Sequence, residues 1–247
     1  MPRKQLQLIN GEIYHISDRA VGDSVIFKNE NDYFRGIFSL YEFNNAKPVE
    51  IRLRRQQRKK EKLLEKSNSN IVYGGPTPVN LPLERDMFVE VLAFCFMPNH
   101  FHLILRQLKE NGISKFMQKI GGYSTYFNEK YNRKGHLFNR FKAVHIKTDE
   151  QLRMAFIYVH TNPVSLVQPG WKENGIKDKR KAIKFLREEY RWSSFFDFIG
   201  KKNFPSVIMK DFFFNNIGEE KKCSQAVIDW IKSKKISNNK ITGVRPQ

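Results

Sequence analysis

Met87-Phe-Val-Glu-Val-Leu-Ala-Phe-Cys-Phe-Met-Pro-Asn-His-Phe-His-Leu-Ile-Leu105 is the longest apolar stretch of the chain, and its reading decides the fold. Met97-Pro98-Asn99 interrupts it. Proline cannot donate a ladder hydrogen bond, so the stretch reads as two adjacent strands, 87–96 and 100–105, joined as a hairpin. Side chains alternate across a strand, so His100 and His102 share one face and Phe101 takes the other. Two imidazoles placed this way are either sheet histidines or half of a divalent metal site. The stretch alone leaves both open.

Working outward, 11–16 reads as a first strand followed by a polar turn containing Arg19, and 25–27 as a short extended piece. Residues 29–32 cap a helix running to about Phe43, with Phe34, Ile37, Phe38, Leu40 and Tyr41 as its expected buried face. Beyond the hairpin, 113–131 has apolar residues at helical spacing, 141–147 is a further strand, and Thr148-Asp149 caps a helix that should end near Asn162, before Pro163. The order β, α, β, β, α, β, α predicts an α+β domain. Its antiparallel sheet has the ferredoxin-like, split βαβ arrangement with helices on one face.

The domain is expected over 1–170, with 45–86 as a basic insertion or linker. Residues 171–247 form a small, mostly helical C-terminal extension whose last dozen residues are polar and expected to be disordered. Within the insertion, 52–66 is a dense run of lysine and arginine with little apolar face, a nucleic-acid arm or a solvated surface.

A chain of 247 residues with 40% hydrophobic residues and 21 Phe can bury a sizeable core. Its net charge of +19 favours a polyanionic partner, nucleic acid before a membrane surface. No long apolar run supports a transmembrane span, and Met1-Pro2-Arg3-Lys4 lacks the apolar region of a signal peptide, so a cytoplasmic, nucleoid-associated location is expected. Cys95 and Cys223 show no metal-ligand spacing, and Cys95 reads as a small buried hydrophobe.

The second informative element is Tyr158-Val159-His160-Thr161-Asn162. Residues four apart on a helix share a face, so Tyr158 and Asn162 project together and His160 elsewhere. A helix that carried Asn162 to the histidine pair would supply a third ligand and bring a phenol beside it. Such a mixed nitrogen and oxygen set with open positions suits Mg²⁺ or Mn²⁺ better than a closed structural zinc site. A tyrosine on an apolar helix is otherwise a core aromatic.

The His-hydrophobe-His after Met-Pro-Asn resembles the metal-binding signature of the HUH single-tyrosine transposases, comprising insertion-sequence transposases and REP-associated tyrosine transposases. Tyr14-His15-Ile16 with Arg19, Gly135-His136-Leu137-Phe138 with Arg140-Phe141-Lys142, Tyr158 to Val164, and Trp192-Ser193-Ser194 are similar to further motifs of that family, in the same order. The resemblance covers about residues 8–200 apart from the insertion. It implies a metal-dependent single-stranded DNA endonuclease and strand transferase with an HUH nuclease core. His100, His102 and Asn162 would be metal ligands for Mg²⁺ or Mn²⁺. Tyr158 would be the nucleophile, forming a 5′-phosphotyrosine intermediate.

The implied substrate is single-stranded DNA, often hairpin-bearing, bound by a monomer or a homodimer. Arg19, Arg140 and Lys142 are the candidate phosphate contacts. Tyr123, Tyr126 and Tyr131 are rejected as nucleophiles because none fits Tyr-x-x-x-Asn-Pro, and His15, His136 and His145 are expected to be structural or DNA-facing. Two other readings stand beside this one: a catalytically silent, domesticated nucleic-acid-binding protein, and a nickase of the replication-initiator type.

Overall fold

The computed structural model describes residues 7–47, 56, 85–216 and 220–234. Most of the 45–86 insertion, including its basic run, and the C-terminal tail from 235 lie outside the described residues.

The apolar stretch forms the expected hairpin, β2 (Val89–Met97) and β3 (His100–Gln107), with Met97 paired to His100 across Pro98-Asn99. The Pro98 carbonyl accepts from the Ile26 and Phe27 amides at 2.7 and 3.1 Å, which fastens the 25–27 segment beneath the turn, although that segment is not a strand. The first strand, β1 (Ile13–Arg19), runs longer than its apolar residues suggest. Ser17, Asp18 and Arg19, expected in a turn, are held in the ladder because His102, Phe101 and His100 pair with them. With β4 (Lys142–Ile146) the sheet is antiparallel throughout in the order β2-β3-β1-β4, the ferredoxin-like order that the α+β reading predicts.

Helix α1 (Glu30–Glu42) is capped by Asn29, whose side chain accepts from the Asp32 amide. Ile37 and Leu40 are buried as expected, but Tyr33 and Gly36 complete the seam while Phe34, Phe38 and Tyr41 are only half-buried. Gly36 explains the rotation: a Cβ there would meet the Phe27 ring at 3.0 Å and the Phe96 ring at 3.3 Å, so glycine lets the helix come this close without displacing either ring.

The single helix expected over 113–131 is two, α2 (Gly112–Ile120) and α3 (Tyr123–Lys130), broken at Gly121-Gly122. Paired glycines have low helix propensity and let the chain turn there. The buried Asp32 carboxylate ties α1 to α3 and the residue after it. It accepts from the Lys28 amide (2.9 Å), the hydroxyls of Tyr126 (3.0 Å) and Tyr131 (2.7 Å), and Lys130 Nζ (2.6 Å).

Helices α1 to α3 cover the Phe96 and Phe101 face of the sheet. The next helix, α4 (Asp149–Thr161), covers the other, where Tyr158 lies against His15 and His102. The helices expected on one face therefore divide between both, because the hairpin is apolar on both faces. Asn162 caps α4, yet it and Pro163 keep helical dihedrals into the short α5 (Val164–Val167).

Then follow α6 (Trp171–Asn174), α7 (Lys179–Lys184), a π-turn at Phe185–Glu189, α8 (Phe195–Phe198), α9 (Lys210–Asn216) and α10 (Glu220–Ser233). Between the π-turn and α8, Trp192-Ser193-Ser194 runs along the outer edge of β2. The Phe96 amide donates to the Trp192 carbonyl (2.9 Å) and the Ser194 amide to the Phe94 carbonyl (3.0 Å), so the β2 edge of the sheet is paired along 94–96. No helix among the described residues is long and apolar enough to cross a membrane.

Candidate active site

Register sets the first layer of the site. On one face of the sheet, Lys142, Ser17, His102 and Cys95 form a row across β4, β1, β3 and β2, and Arg19, His100 and Met97 form the next. The two histidines therefore stand beside two cations at the carboxyl end of β1 and the start of β3. Cys95 is fully buried, and burial pushes its thiol up, in keeping with a small hydrophobe rather than a ligand.

Helix α4 supplies the second layer. Its Thr148 cap accepts from the Gln151 amide, and Phe156 and Val159 are buried on its core side. That rotation turns Tyr158 and Asn162 toward the histidines. The Tyr158 ring centroid lies 5.3 Å from that of His102 and 5.6 Å from that of His15, both edge-on. Asn162 is 2% exposed, its Nδ2 donating to the Tyr158 carbonyl at 2.8 Å, which aims its Oδ1 away from the helix. Tyr158, at 38% exposed, keeps its ring open to the cleft.

A cleft of about 620 Å³ results. All seven residues singled out from the sequence line it: Arg19, His100, His102, Arg140, Lys142, Tyr158 and Asn162. Arg19 also forms an exposed ion pair with Asp23 at 2.7 Å. The rejected tyrosines are engaged elsewhere, Tyr123 donating to the Ile26 carbonyl at 2.6 Å and Tyr126 and Tyr131 to Asp32.

Among the described residues no three His, Cys, Asp or Glu side chains converge on a metal position, so an ion held by the two imidazoles would need a further donor of another kind, such as the amide oxygen of Asn162. The donors fit that use. His100 Nδ1 donates to Asn99 Oδ1 at 2.6 Å, since an amide oxygen only accepts, and this leaves the His100 Nε2 lone pair free. His102 Nδ1 shares a hydrogen bond of 3.0 Å with His15 Nε2, the kind of outer partner that orients a ligating imidazole. Burial, aided by nearby cations, pushes His100 down to about 4, and burial brings His15 to about 4. His102 is held well below its ordinary value by burial and by its two histidine neighbours. All three imidazoles are therefore neutral at pH 7, the form that binds a metal without first losing a proton.

The other histidines do different work. His145 pairs with Glu12 at 2.8 Å and stacks on Tyr14, and exposed His136 lines a neighbouring cavity. Two residues of the cleft escape a reading by motif. One is Lys172, on the short helix α6, whose Nζ lies 3.1 Å from Asn162 Oδ1 and 3.3 Å from the Tyr158 hydroxyl. The other is Asp18, whose Oδ1 has no hydrogen-bond partner and whose carboxyl burial pushes up to about 7. The only sequence signal for Lys172 is its apolar neighbour Trp171, which is 3% exposed and anchors that turn.

Residues 81–162 match the family model described as transposase, IS200-like. The resemblance to the single-tyrosine transposases is thereby borne out over the segment from before the histidine hairpin to Asn162, and the match supports an enzyme of the transposase kind. Among solved structures, the chain is similar to a REP-associated tyrosine transposase bound to a REP hairpin. Identity is 15%, the TM-score is 0.44, and the alignment covers 85% of this chain and 92% of that one. No curated protein matches the chain.

Proposed function

We propose that this chain is a metal-dependent single-stranded DNA endonuclease and strand transferase that works through a 5′-phosphotyrosine formed by Tyr158. The observation that carries this reading is the convergence of Tyr158 and Asn162, from one turn of α4, on the cleft that holds His100 and His102. Binding DNA alone needs none of the four.

His100, His102 and Asn162 would hold Mg²⁺ or Mn²⁺. When bound, such an ion polarises the scissile phosphodiester and offsets the charge that develops on phosphorus. Arg19, Arg140 and Lys142 line the same cleft and position the strand through its phosphates. The Tyr158 oxygen then attacks phosphorus, forming the phosphotyrosine bond as the bond to the 3′ oxygen breaks. A free 3′-OH is left, and the phosphotyrosine keeps the bond energy for rejoining to another end. The net charge of +19 supports a polyanionic substrate. The resemblance points to a strand that bears a hairpin.

The test is a labelled single strand with a hairpin, incubated with Mg²⁺ or Mn²⁺ and analysed for a protein–DNA adduct under denaturing conditions. Wild type should form the adduct, and Tyr158→Phe should abolish it while keeping DNA affinity. An adduct that survives Tyr158→Phe overturns the mechanism. A wild type that binds such strands but forms no adduct is instead the non-catalytic binding protein.

A further inference from the structure

Lys172 is the one cation in direct hydrogen-bond contact, among the described residues, with both the candidate nucleophile and a candidate ligand. Its place is built by the fold. Gly170 adopts φ +73°, a left-handed conformation that side chains resist, and a Cβ there would meet Asn174 Nδ2 at 3.1 Å. The turn delivers Trp171 into the core, edge-on to Trp230 of α10 with ring centroids 5.5 Å apart. With Trp171 anchored, the next side chain has to emerge over the cleft.

There the Lys172 ammonium lies 4.8 Å from the centroid of the Tyr158 ring as well as 3.3 Å from its hydroxyl. Asn162 does not compete for that contact. An amide oxygen has two lone pairs, so Oδ1 can accept from Lys172 and still face an ion.

We propose that Lys172 is a catalytic residue of the cleft, which holds the Tyr158 oxygen in place and stabilises the phenolate at both ends of the reaction. The inference rests on the function proposed above. On attack, the phenol gives its proton to solvent, the new bond forms from the phenolate oxygen to phosphorus, and the departing 3′ oxygen takes a proton from solvent. Lys172 transfers none of its own protons: it donates a hydrogen bond to an oxygen that becomes more negative. On rejoining, the same oxygen is the leaving group, and the same contact favours its departure. A preorganised charge aimed at a developing oxyanion acts on the transition state more than on the ground state.

The test compares wild type with Lys172→Met, which keeps the length and loses the charge, and Lys172→Arg, which keeps the charge. Single-turnover adduct formation at saturating DNA and metal should fall about 10- to 100-fold in Lys172→Met and recover largely in Lys172→Arg. DNA affinity should stay unchanged in both, and divalent-ion affinity measured by calorimetry without DNA should not weaken in either, since loss of the ammonium only relieves repulsion of the ion; a merely structural role would not produce that pattern. Lys172→Gln provides a second neutral variant should Lys172→Met fold poorly, and the same loss is expected.

A wild-type adduct with an undiminished rate in the neutral variants overturns this inference alone. So does a weakened ion affinity with an unchanged limiting rate, because the lysine would then act only through Asn162. Absence of any wild-type adduct overturns the functional reading, and this inference with it.

Discussion

The two sides of helix α4 carry buried polar groups with opposite fates. On the core side, His160 is fully buried and satisfied: its Nδ1 donates to the Phe156 carbonyl at 3.0 Å, and its Nε2 accepts from the Ser194 hydroxyl at 2.8 Å. The Ser194 oxygen in turn accepts from the Phe94 amide at 3.0 Å, so one closed chain of hydrogen bonds joins α4, the C-terminal segment and β2. On the cleft side, Tyr158 and Asn162 face His100 and His102, with Lys172 bonded to both, a second lone pair left on Asn162 Oδ1 and the His100 Nε2 lone pair unused. A closed network holds a fold together. A set of oriented but incompletely used donors, at the wall of a cavity and beside cations, is what a bound ion and a phosphate require. Two histidines that differ little in exposure, His102 at 6% and His160 at 0%, thus differ in what their remaining lone pairs can reach.

The sharpest way to break this contrast is to remove one histidine from each side. His102→Ala should lower adduct formation at least about 100-fold, since loss of a ligand exceeds the usual cost of losing its outer partner. Unfolding free energy should fall by less than in His160→Ala, because one hydrogen bond is lost rather than two, and DNA affinity should be little changed. If His102→Ala cleaves at the wild-type rate, the cleft has been misread.

His160→Ala should do the reverse. It removes a fully packed side chain and breaks two hydrogen bonds, a cost of about 2–4 kcal/mol in unfolding free energy, with the rate per folded molecule preserved. Chemical denaturation followed by activity of the folded fraction measures both.

Acid should act on both sides together. His15 and His100 are held at about 4 and His160 at about 3 in the fold, all through burial, whereas unfolded histidines take up protons near pH 6.5. Between pH 6.5 and about 4 the unfolded chain binds more protons, so stability is fully present above that window and falls as pH drops through it. The slope is on the order of 1 kcal/mol per pH unit for each group. His160→Ala should flatten this slope.

The smallest effect is expected at Asp18. Its carboxyl is raised to about 7 by burial and its Oδ1 is unpartnered, so the folded state disfavours the charge that the unfolded state carries from about pH 4 upward. Asp18→Asn should stabilise the protein by about 1–2 kcal/mol at pH 8 and by about a third of that at pH 5. A gain that is equal at the two pH values would show that the charge is not the cause.

The contrast between the two sides of α4 was legible in part from spacing alone. Tyr158 and Asn162 are four apart and His160 is two from either, so a helix must separate them. The hairpin was equally legible, because Pro98-Asn99 breaks an otherwise continuous apolar run. Elsewhere local pattern misled. Ser17 to Arg19 look like a turn, yet a central strand with partners on both sides holds polar residues in the ladder. The α1 seam follows Gly36 rather than the larger Phe34 and Phe38, because close approach to Phe27 and Phe96 outweighs side-chain size.

The sequence by itself determined the strand and helix order, the shared face of His100 and His102, and the pairing of Tyr158 with Asn162. All of these depend on periodicity within one element. Only the tertiary structure decided that the two elements face each other across a cleft, that His15 backs His102, and that Lys172 reaches the Tyr158 hydroxyl. Those contacts join residues 87 and 14 positions apart in the chain, and such distances are set by strand register, by the packing of α4 on the sheet and by the Gly170 turn. No local pattern encodes them.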